Sequence, residues 1–394
     1  MTAQLVIHIG DPKTGSSSIQ RVLYERRWQA ADLTIAYPPM LSAFRLAGCV
    51  DAAKKSPDER RQIRDFAAWV GAAEAQYAVI SAEQFSRVAP AELDRLLRKF
   101  MPGPGDSARI VAYVRPHLHR FPSAFAQRLK TGAYTGTLEK FELRGMARAD
   151  LAYARRLAAW HEVFGARMAL RPFLRDRLFR GDVVADFLRT VSGQDAFSID
   201  GPTIVNESVS LPGLVAIREV QRSFEEVGML SRMHHTLGRD LATRLQLAGF
   251  RSGHRFKLHE SLARSLAQAC RDDARAVDRM FFGGEPILEP ALEVRPGDYL
   301  AAPQPMAPEA HFPPATLSEI RDRARALAAF VKDEGQGLWA ALAAGRGQSL
   351  TITRPERTGR RAEKRQARRE ERLHHAARQL DEIAAAIVSA GEPG

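Results

Sequence analysis

Cysteine is almost missing from this chain: 394 residues hold two, Cys49 and Cys270, far apart and with no His/Cys cluster near either. That excludes a disulfide framework and a cysteine-built structural metal site, and leaves both thiols as small hydrophobes expected in the core. Long apolar runs are missing as well. No stretch approaches the roughly 18 to 20 residues that a bilayer-spanning helix needs, and the run Leu5 to Ile9 is too short for a signal-peptide h-region. The expectation is a cytoplasmic protein without a transmembrane segment. Nor is charge of one sign overwhelming. The net charge is +12, but Arg354 to Arg372 alone holds nine Lys or Arg against four Glu, and the remaining +7 is spread over the rest. That suits an anionic substrate without calling for a nucleic-acid groove. With 45% hydrophobic and 26% charged residues the composition is that of a folded protein. The length fits one large α/β domain with an extension, or two domains.

The informative stretch is Leu5 to Leu23. Leu5, Val6, Ile7 and Ile9, with His8 among them, read as a strand buried on both faces of a parallel sheet. Gly10, Asp11 and Pro12 are turn formers, Gly15 lets the backbone approach a ligand, and Ser16, Ser17 and Ser18 offer hydroxyls and helix N-caps. Ile19, Val22 and Leu23 then share one face of a helix. Strand, glycine-containing loop and helix N-terminus together make an anion site, to which Lys13 adds a full charge. It is not a Walker A loop, because Lys13 precedes Gly15 instead of following the second glycine. The ligand expected is a phosphate-like group and need not be a nucleoside triphosphate.

Further strands are predicted at Tyr77 to Ile80, Arg109 to Val114 and Arg167 to Phe173. Helices are predicted at residues 57 to 70 behind a Ser56-Pro57 cap, at Ala91 to Phe100, after Arg175-Asp176-Arg177 up to Gly193, within Ser210 to Phe250, and at Leu258 to Phe282. Ala36 to Lys55 is predicted irregular. The proline-rich segment from Pro303 to Pro314 marks a boundary. The expected layout is an α/β domain over 1–300, a linker over 301–316 and a helical, basic extension over 317–394. In that extension Leu373, Ala376, Leu380, Ile383 and Ile387 recur at heptad spacing, as a packing helix, a homodimer helix or a solvated charged helix would have them.

The third strand also runs into polar chemistry. Arg115 stands at its carboxyl end, and Ser123 follows eight residues later, where Pro122 is predicted to start a helix. An arginine fork and a hydroxyl at a helix N-terminus make a second anion clamp. Two clamps on two strands suggest one ligand with two separated anionic groups.

Here the chain resembles the sulfotransferases. Lys13-Thr14-Gly15-Ser16-Ser17-Ser18-Ile19-Gln20 is similar to their 5′-phosphosulfate loop, usually Lys-Thr/Ser-Gly-Thr-Thr, and Arg115-Pro116 with Ser123 is similar to their 3′-phosphate motif. The resemblance covers roughly residues 5 to 285 and is nearest to bacterial carbohydrate-type members. Those tend to open His-x-Gly-x-x-Lys-Thr-Gly, as His8, Gly10, Lys13, Thr14 and Gly15 do here, and to carry a segment like Asn206-Glu207-Ser208. In departure from the family, serines replace two loop threonines, and the glycine-rich C-terminal motif of the cytosolic small-molecule members is absent.

The resemblance implies a P-loop-like α/β fold, a central parallel sheet flanked by helices, with a helical C-terminal extension. It implies 3′-phosphoadenosine 5′-phosphosulfate (PAPS) as sulfuryl donor, no metal, and a hydroxyl of a glycan or glycolipid as acceptor. Lys13, Thr14, Gly15, Ser16, Ser17 and Ser18 would hold the phosphosulfate, with Lys13 also stabilising the leaving charge, and Arg115 and Ser123 would hold the 3′-phosphate. The candidate base is Glu83, past the second strand, where related enzymes often carry theirs; His8 is the other candidate, against its structural role as a buried strand histidine. Two other classes compete: a P-loop small-molecule kinase needing ATP and Mg²⁺, and a non-catalytic protein that keeps the fold and binds an acidic partner through the basic tail.

Overall fold

The computed structural model describes residues 3–11, 13–50, 55–142, 151–203, 209–229, 231–250, 255–344 and 360–390. The strands are β1 (Gln4–Gly10), β2 (Trp28–Gln29), β3 (Ile35–Ala36), β4 (Tyr77–Ala82), β5 (Arg109–Val114), β6 (Met168–Pro172) and β7 (Ser198–Ile199). The helices are α1 (Ser16–Tyr24), α2 (Phe44–Val50), α3 (Pro57–Gly71), α4 (Pro90–Phe100), α5 (His117–Lys130), α6 (Leu138–Glu142), α7 (Tyr153–Phe164), α8 (Val183–Ser192), α9 (Leu211–Val227), α10 (Ser231–Leu247), α11 (Glu260–Phe281), α12 (Pro314–Ala344) and α13 (Arg360–Ala390).

The chain forms two compact units that interleave in sequence. The first gathers Met1–Arg120, Leu151–Val205 and Leu266–Glu293; the second gathers Phe121–Asp150, Asn206–Ser265 and Val294–Gly394. This differs from the linear division expected at 300. The proline-rich segment is no free linker, because Pro308 and Phe312 are buried within the second unit.

In the first unit five parallel strands pair in the order β3-β4-β1-β5-β6, and β2 and β7 form a small antiparallel pair. The architecture is therefore α/β, a central parallel sheet flanked by helices, with a helical C-terminal region. All four predicted strands form. β1 is buried along almost its whole length because it has strands on both sides and helices on its faces. Val6, Val79 and Val111 of the sheet pack with Ile19, Val22 and Leu23 of α1 and with Val184, Phe187 and Leu188 of α8. Each such side chain contributes about 1.5–3 kcal/mol by leaving water.

Topology singles out one edge of the sheet. The chain builds one side of the sheet from β1 through β3 and β4, then crosses to build the other with β5 and β6, so the order reverses at β1. Open α/β sheets bind ligands outside the carboxyl ends of strands at such a point. Ile9 pairs with Ala82 and Gly10 with Tyr113, so Asp11, Glu83 and Arg115 all leave the sheet at that edge.

Helix ends follow the local chemistry. Ser56 and Glu59 form a reciprocal capping box at α3, Asp182 caps α8, and Gly193 ends α8 in the left-handed region. Two expectations fail. The stretch Ala36 to Lys55 contains α2, whose Leu46, Ala47, Cys49 and Val50 are buried; Gly48 sits inside that short helix and disguised it. And α5 begins at His117, not at Pro122, which lies inside it.

The second unit is helical. There α13 packs on α12 and α10, burying Ala376, Leu380, Ile383 and Ile387, so the heptad stripe is covered within the chain and not solvated. No helix among the described residues is long and apolar enough to cross a membrane. Cys49 and Cys270 are free and buried, as their rarity suggested.

Candidate anion-binding site

The loop after β1 is held by its own backbone. Lys13 lies in the left-handed region at φ 71°, a conformation costing about 1–3 kcal/mol outside glycine. Gly15 follows at φ 83° and caps α1 with no side-chain bond, while the amides of Ser18 and Ile19 return to its carbonyl. A Cβ on Gly15 would also come within 2.6 Å of Val183, so both conformation and space require glycine here. The earlier first-turn amides of α1 have no intrahelical acceptor and, with the helix dipole, point toward whatever occupies the loop. Ser16 is 2% exposed, and its hydroxyl lies so close to Gly10 that a Cβ there would meet it at 2.1 Å. The Thr14 hydroxyl donates to the Asp11 carbonyl at 2.6 Å, so its proton shapes the loop and is not directed at a ligand.

Arg115 reaches this loop directly, with Nη1 donating to the Lys13 carbonyl at 3.3 Å and the guanidinium 5.9 Å from the Phe173 ring centroid. The two cationic segments therefore converge on one edge. Burial, and then the charge of Arg120, push the Arg115 pKa down. An anion bound there would relieve both effects. Arg120 is 4% exposed, and its Nε stands 3.7 Å from Asp11 Oδ2, beyond hydrogen-bond reach. Asp11 Oδ1 accepts instead from Arg156 Nη1 at 2.6 Å.

The two candidate bases sit differently. Glu83 opens the turn after β4, half-buried, with its Cγ 3.5 Å from where a Gly10 Cβ would be. His8 is fully buried; its Nδ1 bonds the Ser81 hydroxyl at 2.8 Å, which also accepts from Gln20, and its ring packs against Phe187. Burial lowers its pKa to about 3, so it is neutral at physiological pH.

The structure thus brings His8, Lys13, Thr14, Gly15, Ser16, Ser17, Ser18, Glu83 and Arg115 to one edge of the first unit. Ser17 is exposed and Ser18 half-buried. Ser123 is half-buried inside α5, in the second unit, and not at a helix N-terminus. Asn206-Glu207-Ser208 lies outside the described residues. Asp11, Arg120 and Arg156 were not singled out from the sequence; the one signal for Arg120 is its place three residues before Ser123, on the same helical face.

Buried polar atoms mark the same place. Among the described residues of the first unit, those without a hydrogen-bond partner are His8 Nε2, Asp11 Oδ2, Ser16 Oγ, His117 Nδ1 and Arg120 Nε, all in β1, its loop, or the starts of α1 and α5. Buried polar atoms are ordinarily paired, so these five leave unused hydrogen-bonding capacity at that edge. Among the described residues no group of three or more His, Cys, Asp or Glu gathers as metal ligands would.

No family model matches the chain, and no curated protein is significantly similar to it. Among solved structures, a sulfotransferase from Alicyclobacillus acidocaldarius matches with a TM-score of 0.38 and 12% identity, covering 72% of this chain and 97% of that one. A likeness of that degree establishes no shared activity.

Proposed function

We propose that the chain transfers a sulfuryl group from PAPS to a hydroxyl of a carbohydrate or glycolipid. The observation that carries this is the hydrogen bond from Arg115 to the Lys13 carbonyl, which draws the segments resembling the 5′- and 3′-phosphate motifs to adjacent strand tips. The unpartnered Ser16 hydroxyl and Arg120 Nε fit an anionic donor at that edge.

The donor supplies an activated sulfuryl group and a bisphosphate leaving group. Lys13 and the first amides of α1 hold the negative charge that grows on the bridging oxygen as the S–O bond breaks. Ser16 donates to the same group, and Arg115 holds the 3′-phosphate. Glu83 takes the proton of the acceptor hydroxyl as its oxygen bonds to sulfur. His8, neutral and bound to Ser81, supports β1 beneath the loop and transfers no proton. Orientation and charge stabilisation do most of the work, as in phosphoryl transfer.

Thermal-shift measurements with 3′-phosphoadenosine 5′-phosphate against ATP plus Mg²⁺ test the assignment. The bisphosphate should raise the melting temperature and ATP should not; stabilisation by ATP with Mg²⁺ alone would favour a kinase, and by neither, a non-catalytic protein. A labelled-sulfate assay over polysaccharides and lipids would then identify the acceptor.

A further inference from the structure

We propose that Tyr153 is a positioning residue for Arg115, anchored by Asp273, and that this clamp sets selectivity for a nucleotide carrying a second phosphate. The proposal rests on the sulfotransferase reading of the site. The Tyr153 hydroxyl donates to the Arg115 carbonyl at 2.9 Å. Tyr153 is fully buried, which raises its pKa well above the ordinary tyrosine value and keeps the hydroxyl a donor. Its own amide and that of Ala154 bond the two oxygens of Asp273 at 3.0 and 2.9 Å, so Asp273 caps the start of α7. The same carboxylate takes His117 Nε2 at 2.9 Å, and the His117 ring lies 4.6 Å from that of Tyr153. One acidic side chain on α11 thereby ties together the starts of α5 and α7, on either side of Arg115.

The geometry matters because of where Arg115 stands. Its predecessor Val114 is fixed in β5, its carbonyl accepting from Phe173 N at 2.7 Å. Its successor is Pro116, which confines Arg115 to extended backbone but offers no N–H to hold it. The Tyr153 hydroxyl fixes the remaining freedom, the carbonyl plane, and so braces the backbone from which the side chain projects, while the Nη1 bond to the Lys13 carbonyl aims the guanidinium. A guanidinium fork recognises phosphate only when so aimed, since its donors lie in one plane.

The test is calorimetric binding of 3′-phosphoadenosine 5′-phosphate and of adenosine 5′-monophosphate to the full chain and to Tyr153→Phe, which keeps the ring and removes the hydroxyl. We expect bisphosphate affinity to fall roughly five- to tenfold, as for loss of one hydrogen bond, with monophosphate affinity within about twofold. Asp273→Asn should act in the same direction. In an Arg115→Ala background Tyr153→Phe should change the ratio of the two affinities no further. Equal weakening toward both nucleotides would mean general loosening and overturn the positioning role, as would an unchanged ratio in Tyr153→Phe. If the wild-type chain has no preference for the bisphosphate, the donor assignment itself fails and this proposal with it.

Discussion

Two buried arginine–carboxylate clusters lie in the first unit and are built from the same residue types, but one is closed and the other is not. Asp186, 1% exposed, accepts Arg171 through both its Nε and Nη2 at 3.0 and 2.6 Å, the Tyr113 hydroxyl at 2.8 Å and the Phe179 amide at 2.9 Å. Every direction around that carboxylate is used. Asp11 accepts Arg156 on one oxygen only, while its other oxygen and Arg120 Nε face each other without bonding. A closed cluster is architecture: its charges cancel within the fold and offer a ligand nothing. An open one keeps a cation whose hydrogen bonds are incomplete, and it lies at the carboxyl edge of the sheet where the order of strands reverses.

That contrast is broken most forcefully at its closed member. Asp186→Ala leaves the Tyr113 hydroxyl and the Phe179 amide without their acceptor and Arg171 without its partner. It should cost about 3–5 kcal/mol of stability, read as a lowered urea midpoint, while folded protein keeps its nucleotide affinity. Loss of affinity without loss of stability would mean that Asp186 belongs to the site. Lys13→Ala should do the opposite. We expect a fall in turnover of about 10²- to 10³-fold, the scale for removing one stabilising donor from a developing oxyanion, with little change in melting temperature; wild-type turnover would remove Lys13 from the chemistry. Arg120→Met keeps the aliphatic stem and removes the open cluster's buried cation. Bisphosphate affinity should drop roughly five- to tenfold, with a smaller stability loss than Asp186→Ala because Arg156 still pairs with Asp11. A large stability loss with unaltered affinity would show that this cluster is closed in solution too.

The same contrast explains what could be seen in the sequence. Runs such as Tyr77 to Ile80 and Arg109 to Val114 announce buried parallel strands because both their faces are covered, so the apolar signal is unbroken. The placement of Lys13, Gly15 and Arg115 beyond strand ends was legible because the apolar periodicity stops there. Asp11, Arg120 and Arg156 were not, for an arginine reads identically whether it ends in solvent, on a satisfied Asp186 or on an unsatisfied Asp11. The pairing of Asp273 with His117 and Tyr153 spans more than a hundred residues in sequence, and no local pattern encodes it. Interleaving of the two units was hidden for a related reason, since proline content at Pro303 to Pro314 reports local stiffness and not which contacts the segment makes.

His8 gives the smallest effect and separates support from catalysis. In the folded chain burial holds its pKa near 3, against 6.5 unperturbed. Between those values the unfolded chain binds a proton that the folded chain does not, so stability is fully present above pH 6.5 and falls as the pH drops through the window. From pH 7 to pH 5.5 the loss attributable to this residue is about 1 kcal/mol. His8→Asn removes the titrating group, so urea unfolding at the two pH values should show a smaller loss in the variant by about that amount. Parallel losses in the two proteins would mean that His8 is charged or solvated when folded. In that case it would return as a candidate base beside Glu83, and the pH–rate profile should then carry an inflection near 6.5 that His8→Asn abolishes.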